Sequence, residues 1–414
     1  MNRSPRTTAA PSSSFTPSEA APSTAPDDRD RRIPNAPVTA NVKGPEGALR
    51  SLAAEIGVEI DGERPFDIQV RDSRFYRRVL IDGSLGLGES YMDGWWDCED
   101  LTELHRRILS HHPEARLKRS PALLLAGLQA RLFNRQSRHR SPIVAHEHYD
   151  RTIEAYRSMT DKWITLSCGY WQAATSLDEA QEHKLDLICR KIHLEPQDRV
   201  LDIGCGFGSF ARFAAERYGC SVVGINVSQE QAEVARELGR GLPIEIHRCD
   251  YRETDVFMKA GEFDKVVSAG MFEHVGYKNY RTYMDIAHRS LKESGLFLLH
   301  TIGSNVSNLT NDPWFDKYIF PNGQLPSIQQ IGETVEGLFV VEDWHNFGID
   351  YARTLRAWFE RFDGNWSGTR TDSFYRMWKY YLLSAAGAFL ARDKQLWQIV
   401  LSKGGLVAGY VSLR

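Results

Sequence analysis

Asp202, Gly204, Gly206 and Gly208 follow the apolar run that begins at Val200 and precede a helical pattern over 209–219. A strand that ends in a carboxylate and turns through alternating glycines brings bare backbone to a ligand, because glycine has no Cβ and tolerates left-handed φ. Further polar side chains fall where the next strands should end: Asn226 with Gln231, Asp250, Glu273 within 270–276, and His300 within 300–303. Asn226 offers a neutral amide where a ribose-gripping carboxylate often stands. Gln231 can assist there or cap a helix. Asp250 is placed to accept from the amino group of a base, or to be a solvated loop acid. Glu273 and His300, converging on one cleft, can handle a proton. Taken singly, His300 also suits a hydrogen-bonded core position.

These residues need a sheet to gather them. Strand patterns fall at 199–203, 221–226, 244–249, 264–269, 295–301, 339–346 and 396–402, alternating with helices. Ser176 with Glu179, and Ser228 with Gln231, fit the capping box. Repeated βα units predict a mostly parallel α/β sheet covered on both faces, with ligands outside the carboxyl ends of its strands. A dinucleotide fingerprint requires Gly or Ala where Ser209 stands, which disfavours a nicotinamide oxidoreductase. The alternating glycines resemble instead the S-adenosylmethionine (SAM) loop of Rossmann-like methyltransferases. On that resemblance Asp202 orients the loop or reaches the methionine amino group, and Asp250 accepts from the adenine.

The remainder of the chain sets bounds. Its 414 residues suggest two or three domains. Residues 1–43, rich in Ser, Thr, Pro and Ala, are expected to be a disordered tail. Residues 44–132 read as a small N-terminal domain: a helical pattern over Ala48–Glu55, alternation over Phe66–Val70, then a stretch dense in glycine and aromatics, Gly83–Asp97. Residues 133–414 read as the catalytic domain. Basic residues dominate from Arg106 to Arg140, around the apolar patch Ala122–Leu128. Such a stretch holds anionic lipid head groups or forms a solvated linker helix. A net charge of −3 argues against wholesale nucleic-acid binding. Six cysteines without C-x-x-C or zinc spacing read as reduced thiols and give no metal site. No apolar run reaches the roughly 18 residues of a membrane span. The expectation is a cytoplasmic protein that meets the inner face of the membrane peripherally.

Many segments, in order, resemble cyclopropane-fatty-acyl-phospholipid synthases: Gly83–Asp97, His148–Asp150, Ser167–Trp171, Val200–Gly208, Met271–Gly276, Leu298–Gly303, Asp312–Trp314, Tyr318–Gly323, Glu342–Gly348 and Asp350–Tyr351. The match over Gly83–Asp97 implies the longer bacterial form with its own N-terminal domain. The resemblance implies a class I SAM-dependent methyltransferase fold with helical cap insertions, a homodimer, and a bilayer of cis-unsaturated phospholipids as partner. It implies that the SAM methyl carbon is added across an acyl double bond and that a bound bicarbonate takes a proton as the ring closes. Carried over, Cys168, Glu273, His300 and Tyr351 hold the bicarbonate: Tyr351 and His300 donate, Glu273 accepts its hydroxyl hydrogen, and Cys168 contributes a backbone amide. Ser167 and Gly204 contact SAM on the same basis.

Tyr170, Trp171, Phe272, Tyr318, Phe320 and Tyr351 suit a lining that stabilises positive charge without attacking it, and each also suits the core. The aromatic-rich helices expected at 352–362 and 372–391 suit an acyl channel. Leu166 stands where relatives commonly carry tyrosine, and Asn226 where they often carry threonine. The alternatives are the same fold methylating a lipid without ring closure, or a small amine, and a noncatalytic lipid- or SAM-binding protein. The last would not need the proton-handling set.

Overall fold

The computed structural model describes residues 44–111, 153–256 and 258–414. The N-terminal tail, His148–Asp150 and most of the basic stretch lie outside the described residues. Helix α1 (Pro45–Glu55) starts with proline in its first turn, where no intrahelical N–H is needed. An antiparallel ribbon of β1 (Gln69–Val70) and β2 (Trp96–Asp97) brackets helix α2 (Arg74–Met92). The alternating run from Phe66 is therefore strand only in its last two residues. Asp67 is the reason: its carboxylate accepts the backbone N–H groups of Glu59 (2.8 Å) and Arg64 (3.0 Å) and ties the chain into a turn. The glycine-dense stretch is helical as far as Met92, with a kink at Gly83. Helix α3 (Leu101–Ser110) follows, its N-terminus capped by Asp100 on the Glu103 amide.

After α4 (Ile153–Met159), helix α5 (Leu177–Lys191) opens on Ser176 and Glu179, which form both halves of the capping box. Strands and helices then alternate through β3 (Arg199–Ile203), α6 (Ser209–Tyr218), β4 (Ser221–Asn226), α7 (Gln229–Leu238) and β5 (Ile244–Arg248). They continue through β6 (Phe263–Ala269), α8 (Tyr280–Ser290) and β7 (Leu291–Ser304). Helices α9 (Pro313–Tyr318) and α10 (Ile328–Val335) precede β8 (Val340–Asn346). Helices α11 (Gly348–Asn365) and α12 (Ser373–Leu390) precede β9 (Lys394–Ser402).

The sheet has seven strands in the order β5-β4-β3-β6-β7-β9-β8. The first five are parallel, and β9 runs antiparallel to both neighbours. Every expected strand is present, and β7 extends past 295–301 at both ends. The central strands are buried on both faces, which is why β3 and β4 read as continuous apolar runs. Only half of the second expected capping box forms. Ser228 accepts the Gln231 N–H at 3.3 Å, but the Gln231 side chain turns away to accept from Asn226 at 2.8 Å.

Helix α12 is the hub between sheet and N-terminal helices. A Cβ on Gly387 would stand 2.6 Å from the Thr102 carbonyl, so only glycine permits this approach to α3. Buried Arg376 donates to the carbonyls of Tyr91 (2.5 Å) and Trp96 (2.8 Å) and pairs with Asp97 at 2.8 Å. The N-terminal helices and α11–α12 share one apolar cluster, built around Phe75, Trp96, Leu104, Leu355 and Leu382.

Candidate active site

The loop after β3 passes through three left-handed glycines, with φ of 83° at Gly204, 55° at Gly206 and 75° at Gly208. A side-chain-bearing residue pays about 1–2 kcal/mol for that conformation. A Cβ at Gly204 would also meet Met271 at 2.7 Å, and one at Gly208 would meet Ala235 at 3.2 Å. At Gly206 nothing lies within 4 Å. Gly204 and Gly208 thus serve packing, whereas Gly206 faces open space. That space belongs to a cavity of about 150 Å³ whose walls include Ser167, Lys184, Asp202, Gly204, Asn226 and Gln231.

The wall groups buried with unpartnered atoms include Asp202 Oδ2 and Gln231 Nε2. Buried polar atoms rarely stay unpaired, so both point to a ligand with a donor and an acceptor. Burial pushes the Asp202 carboxyl up to about 7, with Lys184 pulling the other way. Asn226 is engaged by the protein. Its Nδ2 donates to the Gly206 carbonyl (3.1 Å) and to Gln231 Oε1 (2.8 Å), and its Oδ1 accepts the Ser228 N–H (3.0 Å). It braces the glycine loop. Asp250 pairs with Arg252 at 2.6 Å, and it is Arg252 that lines the cavity.

Sequence reasoning missed Lys184. Its neighbours on α5 are largely charged, which suggests a solvated face, yet it is 1 % exposed. Its Nζ donates to Ser167 Oγ at 2.9 Å, and Gln181 donates to the Ser167 carbonyl at 2.8 Å. Burial pushes the ammonium down to about 8, opposed by Asp161, Cys168 and Asp202. The available signal was position: Gln181 and Lys184 fall at helical spacing with Leu177, Ala180 and Ile188, all buried.

A second cavity, of about 880 Å³, lies between the N-terminal helices and α11–α12. Its wall is mostly aliphatic and aromatic and includes Tyr318, Phe320 and Tyr351. The other proposed aromatics have core contacts instead. Phe272 stacks on Tyr280 at 4.3 Å, Trp171 donates to Thr354 at 2.9 Å, and Tyr170 sits edge-on to Phe347 at 5.4 Å. Leu166, Gly270 and His274 line both cavities. His274 was not singled out from the sequence. Its burial lowers the ring pKa to about 4 and leaves it neutral.

Glu273 lies in the large cavity's wall, in a short 3-10 turn after β6. Its Oε1 accepts the Ile302 N–H at 2.7 Å, and its Oε2 is buried without a partner. Burial pushes this carboxyl up to about 7. His300 precedes Ile302 by two residues, so both side chains share one face of β7. Its Nδ1 lies 3.3 Å from Gln398 Nε2, its Nε2 has no partner, and burial holds its pKa well below the usual value. Tyr351, in the first turn of α11, packs against Phe389 at 4.7 Å. Cys168 is fully buried, with Sγ donating to the Gly169 carbonyl at 3.1 Å. Burial raises this thiol well above its usual pKa, so no thiolate nucleophile stands here. Of the four proposed proton-handling residues, Glu273 and Tyr351 are among the wall residues of the large cavity, while His300 and Cys168 are buried and are not among them.

Comparison with known proteins follows the same outline. Residues 136–399 match the family model of mycolic acid cyclopropane synthetase. The chain is 49% identical over 358 residues to the cyclopropane-fatty-acyl-phospholipid synthase of Escherichia coli (strain K12), covering 85% of this chain and 92% of that protein. It is 35% identical over 273 residues to a probable fatty acid methyltransferase of Pseudomonas putida, covering 62% of this chain and 68% of that one. Among solved structures, the cyclopropane synthase MmaA2 from Mycobacterium tuberculosis matches with a TM-score of 0.58 at 28% identity, over 63% of this chain and 98% of its own. Mycolic acid cyclopropane synthase CmaA1, complexed with SAH and CTAB, matches with a TM-score of 0.57 at 28% identity, over 63% of this chain and 97% of its own. With the parallel sheet and the glycine loop in place, the chain belongs to the mycolic acid cyclopropane synthetase family of SAM-dependent methyltransferases.

Proposed function

We propose that this enzyme adds the methyl carbon of SAM across a cis double bond of a phospholipid acyl chain and closes a cyclopropane ring. What carries the proposal is the shared wall: Leu166, Gly270 and His274 border a polar cavity on one side and an apolar cavity on the other, with Glu273 beside them. A methyl donor and an acyl acceptor need that adjacency. The name of the Escherichia coli relative agrees with it.

The small cavity suits SAM. Asp202 Oδ2 is a free buried acceptor for an ammonium, Gln231 Nε2 is a free donor, and Gly206 leaves its side of the loop open. Ser167 and the backbone at Gly204 complete the set of contacts. Bound SAM supplies an electrophilic methyl carbon. The chain's own task is then to keep water out and to hold the alkene in line, because an isolated alkene is a weak nucleophile. The apolar walls of the large cavity take up the acyl chain. The faces of Tyr318, Phe320 and Tyr351 stabilise positive charge on the alkene carbons without bonding to them.

One proton must leave the added carbon as the second carbon–carbon bond forms. Glu273 Oε2 and His300 Nε2, buried and unpartnered, suit a small anion bearing one hydroxyl hydrogen. Glu273 accepts that hydrogen and His300 donates to an anion oxygen, with the Tyr351 hydroxyl and the Cys168 amide as further donors. Bicarbonate held there supplies the base. The substrate implies work at a bilayer surface, and among the described residues no helix is long and apolar enough to cross a membrane. The homodimer implied by the resemblance is part of the same proposal.

The test is incubation of the purified protein with SAM and vesicles of cis-unsaturated phospholipid, followed by mass spectrometry and proton NMR of the acyl chains. A gain of one CH₂ with high-field ring protons is the expected result. The same gain with a retained double bond would mean methylation without closure. Absence of product despite SAM binding would shift the acceptor to another class, small amines first.

A further inference from the structure

We infer that Gln398 is a positioning residue that sets the tautomer of His300, so that the imidazole proton sits on Nε2 and is presented to the anion site. His300 acts here as the donor proposed above, and the role of Gln398 rests on that reading.

Strand β9 runs antiparallel to β7 and puts Gln398 directly opposite His300. Directly opposed side chains lie on the same face of a sheet and touch. Both are interior, at 0 % and 1 % exposure. Gln398 is polar in a strand whose neighbours Leu396, Trp397, Ile399 and Val400 are buried and apolar. A polar group in such a place costs stability unless it is hydrogen-bonded. Its partner is the ring: Gln398 Nε2 lies 3.3 Å from His300 Nδ1.

The chemistry of the two groups then decides the tautomer. An amide nitrogen only donates, so Nδ1 must accept. A neutral imidazole with an accepting Nδ1 carries its proton on Nε2. Burial, with Lys184, Lys191 and His345 nearby, keeps the ring neutral. His300 Nε2 has no protein partner, and neither has Glu273 Oε2, which is anchored through Ile302 on the same strand as His300. A fixed donor and a fixed acceptor therefore remain for one small anion. Gln398 Oε1 is also buried and unpartnered. Turned over, the amide would bond that oxygen to an Nδ1 proton and leave Nε2 a bare lone pair. The sense of this one amide sets whether His300 donates or accepts.

Substitution separates the cases. Glutamate at 398 can only accept in its ionised form, so Gln398→Glu should move the proton to Nδ1. Gln398→Met keeps the volume and leaves both tautomers open. The experiment uses the full chain with ¹⁵N-labelled histidine and long-range ¹H–¹⁵N correlation, with His300 assigned by its loss in His300→Gln. The wild-type protein should show His300 protonated on Nε2, and Gln398→Glu should show it on Nδ1. Ring formation should fall about 100-fold in Gln398→Glu, the low end of what a positioned proton-handling group contributes, and by roughly a tenth of that factor in Gln398→Met, which leaves both tautomers open. SAM affinity by calorimetry should stay within about twofold in both, since Gln398 is not among the wall residues of the small cavity.

A wild-type ring protonated on Nδ1 would overturn the inference, and this needs no variant to fold. Loss of SAM affinity in step with turnover would also overturn it, by making Gln398 merely structural. A wild-type protein that makes no ring product would overturn the proposed function instead, and the tautomer spectrum would still decide what Gln398 does to the ring.

Discussion

The Lys184 ammonium donates to the Ser167 hydroxyl at 2.9 Å, and both residues are buried in the wall of the small cavity proposed for SAM. Helix α5 thereby holds the segment that separates the two chambers. Burial keeps this ammonium near 8, below the ordinary lysine value of about 10.4. The unfolded chain binds the extra proton between those values, so the contribution to stability is present above about 10.4 and lost as pH falls through about 8. The cation is retained against that cost. Lys184→Met is expected to weaken SAM binding about 10-fold, or about 1.4 kcal/mol, by titration calorimetry. Unchanged affinity would remove Lys184 from the cofactor site.

Glu273→Gln should leave SAM affinity within about twofold and lower turnover by about 100-fold or more. The carboxyl is held near 7 in the folded protein, against about 4.3 in an unfolded chain. The folded state therefore binds more protons between those values, and stability from this group is lost as pH rises through about 7. At pH 8 the glutamine variant should melt a few degrees above wild type, roughly the effect of 1 kcal/mol or more, and at pH 5 the gap should shrink. Scanning calorimetry at both values decides it. An identical shift at both would mean that the carboxyl carries no such penalty.

Wild-type turnover should itself fall as pH drops through about 7, because a protonated Glu273 no longer accepts the anion's hydroxyl hydrogen. Asp202 titrates in the same range, so Asp202→Asn is the control. A pH–rate profile that keeps this limb in the asparagine variant assigns it to Glu273. Its disappearance there assigns it to Asp202.

The loop glycines should respond unequally. Gly206→Ala adds only left-handed strain of about 1–2 kcal/mol, because its Cβ meets nothing within 4 Å. Gly204→Ala adds the same strain and a 2.7 Å clash with Met271. Both should weaken SAM binding, and Gly204→Ala should melt lower. Equal melting temperatures would contradict the packing role of Gly204.

Glu89 on α2 accepts from Lys317 at 2.6 Å and Tyr318 at 2.8 Å, and it also pairs with Arg78. Tyr318 lines the large apolar cavity proposed for the acyl chain. Next to Glu89, a Cβ on Gly88 would stand 2.3 Å from the Trp314 indole. Glu89→Gln should therefore raise the apparent KM for vesicle lipid severalfold with SAM affinity unchanged. Gly88→Ala should cost about 1–3 kcal/mol through overpacking, read by denaturant melts. A lipid KM that does not move would separate α2 from the acyl site.

The sheet was legible because its strands are short apolar runs cut by glycines and caps, and local chemistry sets those boundaries. Gly204, Gly206 and Asp202 were legible for the same reason: the motif is contiguous. Phe66–Val70 misled because alternation cannot reveal that Asp67 takes up the backbone donors of a turn. The pairing of Asp250 with Arg252, two residues on, was not foreseen, because no sequence pattern marks which side chain takes up a loop carboxylate. Lys184, His274 and Gln398 depend on which side of an element faces inward, and on partners 17 to 98 residues away or on a cavity no local pattern encodes. Charge alone made Lys184 look like surface.

Leu166, Gly270 and His274 front both chambers, and that has a kinetic corollary. On the proposed function the small chamber releases a nucleoside, which belongs to water, and the large one an acyl tail, which belongs to oil, so the two spent molecules are expected to leave into different phases. Neither has to queue behind the other. Turnover on that proposal is expected to end in two independent departures rather than one ordered procession.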